Sequence, residues 1–133
     1  MTSIERLRPA GLVSSPTFSH VAVVPPGATT IYVGGQNSVD ADGALVGAGD
    51  VAVQAARALQ NAKTALAAAG AGLADVVLWT VLFVDGADLG AGYGAIAAEL
   101  ASPEPPLVTA ARVSGLGVPG ALVEISAVAA VLA

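Results

Sequence analysis

The fold is decided by residues 50–85, which read DVAVQAARALQNAKTALAAAGAGLADVVLWTVLFVD. In the first part, apolar residues recur at helical spacing between a capping Asp50 and Gly70, which predicts an amphipathic helix. In the second part, residues 76–84 are apolar without alternation and rich in β-branched side chains, which predicts a strand covered on both faces and flanked by partners on both sides. The helix is expected to bury Val51, Ala55, Leu59, Ala62 and Leu66 and to turn Gln54, Arg57, Asn61 and Thr64 mostly to the opposite face.

Four further strands and a second helix are predicted around this unit. Residues 18–24 and 29–34, separated by Pro25, Pro26 and Gly27, are typical of a β-hairpin. Beyond residue 85, the sequence predicts a helix over 88–101 that is weakened by three glycines, and strands over 107–113 and 121–131. The order ββαβαββ indicates a single α+β domain over residues 1–133, with a sheet layered on one face by two helices.

Composition excludes several classes of chemistry. The 133 residues contain no cysteine, so disulfides, thiolate zinc sites and cysteine nucleophiles are ruled out. A net charge of -5 with five basic residues disfavours nucleic acid as a partner. The sequence shows no phosphate loop, dinucleotide fingerprint or metal-ligand cluster, and we therefore expect no cofactor and no metal.

The distribution of apolar residues bears on location and assembly. Residues 1–11 lack the apolar core of a secretory signal, and the longest apolar run is under half a membrane span, so we expect a cytoplasmic protein without membrane contact. The chain is 55% apolar and 11% charged, which is high for a lone small domain. Either oligomerisation or the abundance of alanine and glycine explains this figure.

An ordered set of positions between residues 34 and 130 carries a resemblance to a known family. The set comprises Gly35, Gln36, Val39, Asp40, Asp50, Val51, Gln54, Ala55, Leu59, Asn61, Lys63, Ala68, Ala69, Gly70, Asp75, Val76, Val77, Thr80, Val81, Asp85, Val123, Glu124, Ile125, Ala127, Val128 and Ala129. In this order and register, the chain resembles the RidA family, also called YjgF. No single motif is decisive, and the ordered set is what makes the resemblance specific.

The resemblance implies a fold, an assembly and a reaction class. The fold is chorismate-mutase-like, and the assembly is a homotrimer with sheets facing inward, helices facing outward and three clefts at subunit boundaries. Members of the family hydrolyse reactive imines and enamines released by amino-acid-metabolising enzymes, giving a keto acid and ammonia. A trimer of this kind would also account for the apolar composition.

The carboxylate clamp of the deaminating members is altered in this chain. In those members an arginine, two residues after a proline at the start of the penultimate strand, forks onto the substrate carboxylate. Here the prolines are Pro105 and Pro106, so the slot holds Leu107 or Val108. Arg112 is the basic residue nearby, either as a substitute clamp or as a surface salt bridge, and strand alternation puts it on the face opposite Leu107.

Glu124 is the candidate catalytic residue. It is the only charge in residues 122–131, and it matches the family glutamate that helps to position the attacking water. A carboxylate between Val123 and Ile125 is costly to bury unless it is hydrogen-bonded or protonated, and a raised pKa would suit general acid or base work. The alternatives are an exposed edge strand and a structural hydrogen bond across the trimer.

Five other positions complete the candidate ligand-binding set. Phe18 stands where the family has a cleft-lining tyrosine, and it keeps the ring without the hydroxyl. Tyr93 stands where many relatives place an asparagine, and either supplies a hydroxyl or packs against the second helix. At Gly34, Gly35 and Gln36 the family backbone approaches the ligand, which the lack of a Cβ permits, and the alternative is a plain turn.

These altered positions predict a RidA-family protein outside the arginine-dependent deaminases, which binds or hydrolyses a small, largely apolar metabolite near Phe18, Gly35, Leu107 and Glu124. Whether it is an enzyme stays open. One alternative is an imine or enamine acid deaminase with an altered site, and another is a non-catalytic trimer that binds a partner protein. The ribonuclease label of some relatives is disfavoured by the acidic charge balance.

Overall fold

A computed structural model describes residues 3–132, which form six strands and three α-helices. The α+β class expected from the sequence is confirmed. None of the helices in this range is long and apolar enough to cross a membrane. The elements are β1 (Glu5–Leu7), β2 (Val21–Val23), β3 (Thr29–Gln36), α1 (Val51–Ala68), β4 (Val76–Val84), α2 (Leu89–Gly94), α3 (Ala97–Leu100), β5 (Leu107–Val113) and β6 (Val123–Val131), with a short 3-10 turn at Leu73–Asp75 before β4.

The main sheet has the strand order β3-β6-β4-β5. Strand β6 is antiparallel to both β3 and β4, whereas β4 and β5 run parallel. The two flanking partners predicted for β4 are therefore present. Helix α1 packs on one face of this sheet, and the core between them is built from Leu59, Leu66, Trp79, Phe83, Ile125 and their neighbours.

Helix α1 begins as predicted but buries a residue expected on its polar face. The side chain of Asp50 caps the helix by accepting a hydrogen bond from the backbone N–H of Val53 at 3.1 Å. The prediction for Gln54 was wrong, because this side chain is fully buried. Its amide donates to the carbonyls of Gly47 and Gly120 at 3.2 Å each and accepts from the N–H of Leu122 at 2.8 Å, so burial leaves no polar atom unpaired.

The expected hairpin of the first two strands is not formed. Strand β2 pairs antiparallel with β1, in a separate two-stranded sheet, with Leu7 opposite Val21. Pro25 and Pro26 follow β2 and have no N–H groups to continue a ladder toward β3. Strand β1 has only three residues and gives no periodicity from which a strand could be predicted.

The second helix is divided into α2 and α3 around Ala95 and Ile96. Asp88 caps α2 as predicted, by accepting from the N–H of Ala91 at 3.0 Å. A Cβ at Gly92 would lie 2.5 Å from Cε1 of Phe83, so the close packing of α2 on the sheet requires glycine there. The glycines that weaken this helix thus let it approach the core.

Candidate functional site

One face of the main sheet is turned away from α1. In β6, Val123, Ile125 and Ala127 belong to the core, and strand alternation places Glu124 and its even-numbered neighbours on the other face. We call this surface the open face; it comprises Tyr32, Thr80, Leu82, Glu124, Ser126 and Val128, which pair across strands as Tyr32 with Val128, Thr80 with Ser126 and Leu82 with Glu124. Tyr32, on the edge strand β3, is 79% exposed, which is a large exposed fraction for an aromatic side chain.

The carboxylate of Glu124 lies directly over Gly35. The β3–β6 register shifts between Val33 and Gln36, so the two glycines form a bulge opposite Ser126. A Cβ built on Gly35 would lie 2.5 Å from Cδ and 2.7 Å from Oε2 of Glu124. Within residues 3–132 the carboxylate has no hydrogen-bond partner, so its acceptor capacity is open to a ligand.

Two amide side chains, one buried and one half-buried, hold this bulge against β6. Asn37 donates from Nδ2 to the carbonyl of Val123 at 3.1 Å, next to Glu124. Asn61, on α1, donates from Nδ2 to the carbonyls of Asn37 and Val39 at 2.9 Å each. The role of Asn37 was missed from the sequence, where an asparagine after Gly-Gly-Gln is indistinguishable from an ordinary turn residue.

Phe18 and Leu107 belong to a second group at the start of β5. The N–H of Ser19 donates to the carbonyl of Pro106 at 3.2 Å, which fixes the segment of Phe18 beside the residue that precedes Leu107. The Phe18 ring packs edge-on to His20 with 5.3 Å between centroids. Leu107 is half-buried and pairs with Leu78, on the same side of the sheet as the open face.

Tyr93, on α2, lies close to the segment that precedes Phe18. It lines a small cavity of about 60 Å³ together with Thr17, the neighbour of Phe18. Burial raises the pKa of Tyr93 above its ordinary value of 10.0, so its hydroxyl is a neutral donor near pH 7. We refer to Phe18, Tyr93 and Leu107 as the Phe18 group.

The Phe18 group and Glu124 are far apart within one chain. Leu107 is level with Leu78 of β4, while Glu124 is level with Leu82 and lies on the far side of β4. Two strand spacings across the sheet and four residues along it amount to roughly 16 Å between Leu107 and Glu124. A small ligand cannot contact both within a single chain.

Three of the candidate residues lie elsewhere. Val108 packs against the core beside Trp79, on the helix side of β5. Gln36 lines a groove of about 490 Å³ with Arg57 and Asn61, also on the helix side. Arg112 is exposed on that side and donates from Nη1 to the carbonyl of Ala87 at 2.9 Å, so it is opposite Leu107, as alternation predicts.

Arg8 is a basic residue near the Phe18 group that the sequence did not single out. Its Nη2 donates to the carbonyl of Pro103 at 2.8 Å, in the segment that leads to β5. Its position depends on the pairing of β1 with β2, which the sequence pattern did not predict. Among residues 3–132 there is no cluster of three or more histidine, aspartate or glutamate side chains placed to hold a metal ion.

Comparison with known proteins gives a family match over most of the chain. Residues 11–131 match the family model described as Endoribonuclease L-PSP. Solved structures of similar proteins agree with this match. YyfB from Yersinia pestis, described as a protein of unknown function of the conserved Rid protein family, is 29% identical with a TM-score of 0.83 over 98% of this chain and 100% of its own.

Two further structures carry the names RidA and YjgF. RidA from the Antarctic bacterium Psychrobacter sp. PAMC 21119 is 27% identical, with a TM-score of 0.68 over 87% of this chain and 94% of its own. The YjgF gene product from E. coli is 30% identical, with a TM-score of 0.67 over 80% of this chain and 83% of its own. The fold and the sequence match thus point to one family.

Proposed function

Because the chain belongs to the endoribonuclease L-PSP family, the Rid or YjgF family of its structural neighbours, we propose that it acts as a homotrimer that binds or hydrolyses a small metabolite in clefts between subunits. The separation of the Phe18 group from Glu124 is the observation that carries this proposal. Both groups resemble parts of one cleft, yet Leu107 and Glu124 lie roughly 16 Å apart in one chain. Two subunits are needed to bring Glu124 of one copy to the Phe18 group of the next.

The open face supports an assembly through the sheet. Tyr32 is largely exposed, and it adjoins Val128 on β6, while Leu82 lies beside Glu124. Association of this face with further copies would remove apolar surface from water, at about 25 cal/mol for each Å² buried. The proposal therefore assigns the open face to the contact between subunits, with Glu124 and Gly35 near its edge.

The side chains of the proposed cleft favour a ligand that does not need a carboxylate clamp. Leu107 occupies the side of β5 that faces the proposed cleft, while Val108 and Arg112 are on the helix side. A guanidinium fork is therefore missing at the position where the deaminating members have it. Glu124 is left to orient the ligand or a water molecule, and it is the residue to which we assign the chemistry.

The first experiment has two parts. Sedimentation measures the mass of the protein in solution, and a turnover assay measures the release of ammonia from 2-iminobutanoate and 2-iminopropanoate. We expect a trimer, little turnover by the wild type, and a gain of turnover in Leu107→Arg. Losing a charged hydrogen-bonded pair costs about 1.5–3 kcal/mol, or roughly tenfold to a hundredfold in rate, so the gain should be of this size. A monomer would overturn the proposal, and wild-type turnover equal to that of an arginine-bearing relative would assign the protein to the deaminases.

A mixing experiment tests whether a cleft is shared between subunits. Glu124→Ala and Phe18→Ala chains, each defective alone, are unfolded, mixed in equal amounts and refolded together. In a cyclic trimer about a quarter of the clefts then join an intact Glu124 to an intact Phe18, so that fraction of the wild-type turnover or binding should return. No recovery in the mixture would show that each subunit carries a complete site.

A further inference from the structure

Glu124 is the single charged side chain of the open face, and no basic residue of the described chain belongs to that face. The other members of the face are tyrosine, threonine, serine, leucine and valine. The five basic residues have these partners: Arg6 donates to the carbonyls of Ala74 and Val76, Arg8 to that of Pro103, Arg57 to Asn61, Lys63 to Glu99 and Arg112 to the carbonyl of Ala87. None of these five cations belongs to the open face, so Glu124 has no cationic partner there among the described residues.

The surroundings of Glu124 strengthen its field. The carboxylate is half-buried between Leu82 and the backbone of Gly35, where it has less water around it than an exposed carboxylate has. Charge interactions are stronger in such a site than in bulk water. A ligand with a carboxylate of its own would be repelled there, and a cation would be attracted.

Hydroxyl groups near Glu124 suit the same type of ligand. Ser126 is two residues after Glu124 on β6, and it pairs across strands with Thr80 of β4. Thr80 pairs in turn with Thr109 of β5, so the three hydroxyl residues are side by side across the sheet. In residues 3–132 none of these three hydroxyls has a hydrogen-bond partner. An ammonium group has three donors and no acceptor, so one carboxylate and neighbouring hydroxyl oxygens can satisfy it.

From this arrangement we propose that the ligand is a small primary amine or protonated imine that carries no carboxylate, with Glu124 as its counter-charge. The inference rests on the proposed function, because it concerns the same cleft. Arg8 is a basic residue near the Phe18 group, and its bond to Pro103 directs it to the segment before β5. Replacing Arg8 therefore tests the alternative that the cleft binds an anionic ligand.

The test uses three probes of nearly equal shape and different charge: isobutylamine, isobutanol and isobutyrate. Their affinities for the whole protein are measured by ¹H–¹⁵N NMR titration at low salt. The amine should bind at least about tenfold more tightly than the alcohol, since a hydrogen bond to a charged group contributes more than a neutral one, and the carboxylate should bind most weakly. Added salt should reduce the preference for the amine.

Matched variants separate the outcomes. Glu124→Gln should bring the amine to the affinity of the alcohol and leave the alcohol unchanged, whereas Glu99→Gln, which removes an exposed carboxylate, should change neither. A preference for isobutyrate that disappears in Arg8→Gln would overturn the inference while the proposed cleft stands. A lack of saturable binding by all three probes would overturn the proposed function together with the inference.

Discussion

The contact between Glu124 and Gly35 can be tested by adding one methyl group. In Gly35→Ala the new carbon would lie 2.5 Å from Cδ of Glu124, so the carboxylate must move by about 1 Å to reach an ordinary carbon–carbon separation. Gly35 does not have a positive φ, so alanine fits its backbone. Since the carboxylate is the end of a flexible, half-buried side chain, we expect the side chain to move and the strand to stay.

The stability change can be worked out for each background. Moving Glu124 off its preferred rotamer costs about 0.5–1.5 kcal/mol, and replacing glycine by alanine contributes about 0.4–1 kcal/mol through the unfolded state. These terms nearly cancel in the wild type. In the Glu124→Ala background there is no carboxylate to displace, so Gly35→Ala should raise the free energy of unfolding by the full gain of about 0.4–1 kcal/mol that comes from the unfolded state. The two substitutions should therefore show a coupling energy of about 0.5–1.5 kcal/mol.

Urea unfolding of the single and double variants, at one fixed protein concentration, measures this coupling. Gly34→Ala is the matched control, because it lies in the same bulge and its added methyl would meet open space. It should stabilise by about 0.4–1 kcal/mol in both backgrounds. If Gly35→Ala behaved like Gly34→Ala in both, the carboxylate would not lie over Gly35, and the reasoning would be refuted.

Two further predictions concern stability. Gln54→Leu should lower the free energy of unfolding by about 2–4 kcal/mol, because three hydrogen bonds are lost while their backbone partners stay buried. The control Gln60→Leu, on the exposed side of α1, should change it by less than about 0.5 kcal/mol. Urea unfolding measures both variants, and equal losses of stability would contradict the prediction. The raised pKa of Tyr93 means that the folded state favours the neutral phenol. The contribution of Tyr93 to the free energy of unfolding is therefore complete below about pH 10 and is lost as the pH rises through the pKa of the folded state. The free energy of unfolding should therefore fall less steeply above pH 10 in Tyr93→Phe than in the wild type or in Tyr32→Phe, and equal slopes in the three proteins would exclude the effect.

The strongly periodic parts of the sequence predicted their structures well. Residues 51–68 and 76–84 form the expected helix and strand, because each carries a long apolar pattern that local spacing alone defines. The hairpin prediction failed, since β2 takes a distant three-residue strand as its partner and local sequence does not encode that choice. Gln54 was misplaced because its partners, Gly47 and Gly120, come from loops that meet only in the folded chain.

The candidate site could be predicted in part. Glu124 stands out from the sequence as a lone charge in an apolar strand, and alternation separates Leu107 from Arg112. Alternation does not predict the side of the sheet on which Gln36 lies, because the bulge at Gly34 and Gly35 interrupts the alternation of β3. That Glu124 and Leu107 are too far apart for one small ligand follows only from the strand order.

The place of β6 in the sheet has a consequence for synthesis on the ribosome. β6 lies between β3 and β4, although it follows both in chain order, and it pairs Val131 with Thr29, about a hundred residues earlier. Until residues 123–131 have been made, β3 and β4 are not paired with a common strand, and the apolar side of α1 has only part of its sheet to cover it. At about 5–20 residues per second the stretch from the end of β4 to the end of β6 takes roughly 2–9 seconds to make, and during this time the exposed apolar surface is open to chaperones and to aggregation. The strand that carries Glu124 is thus also the strand whose arrival ends that exposure.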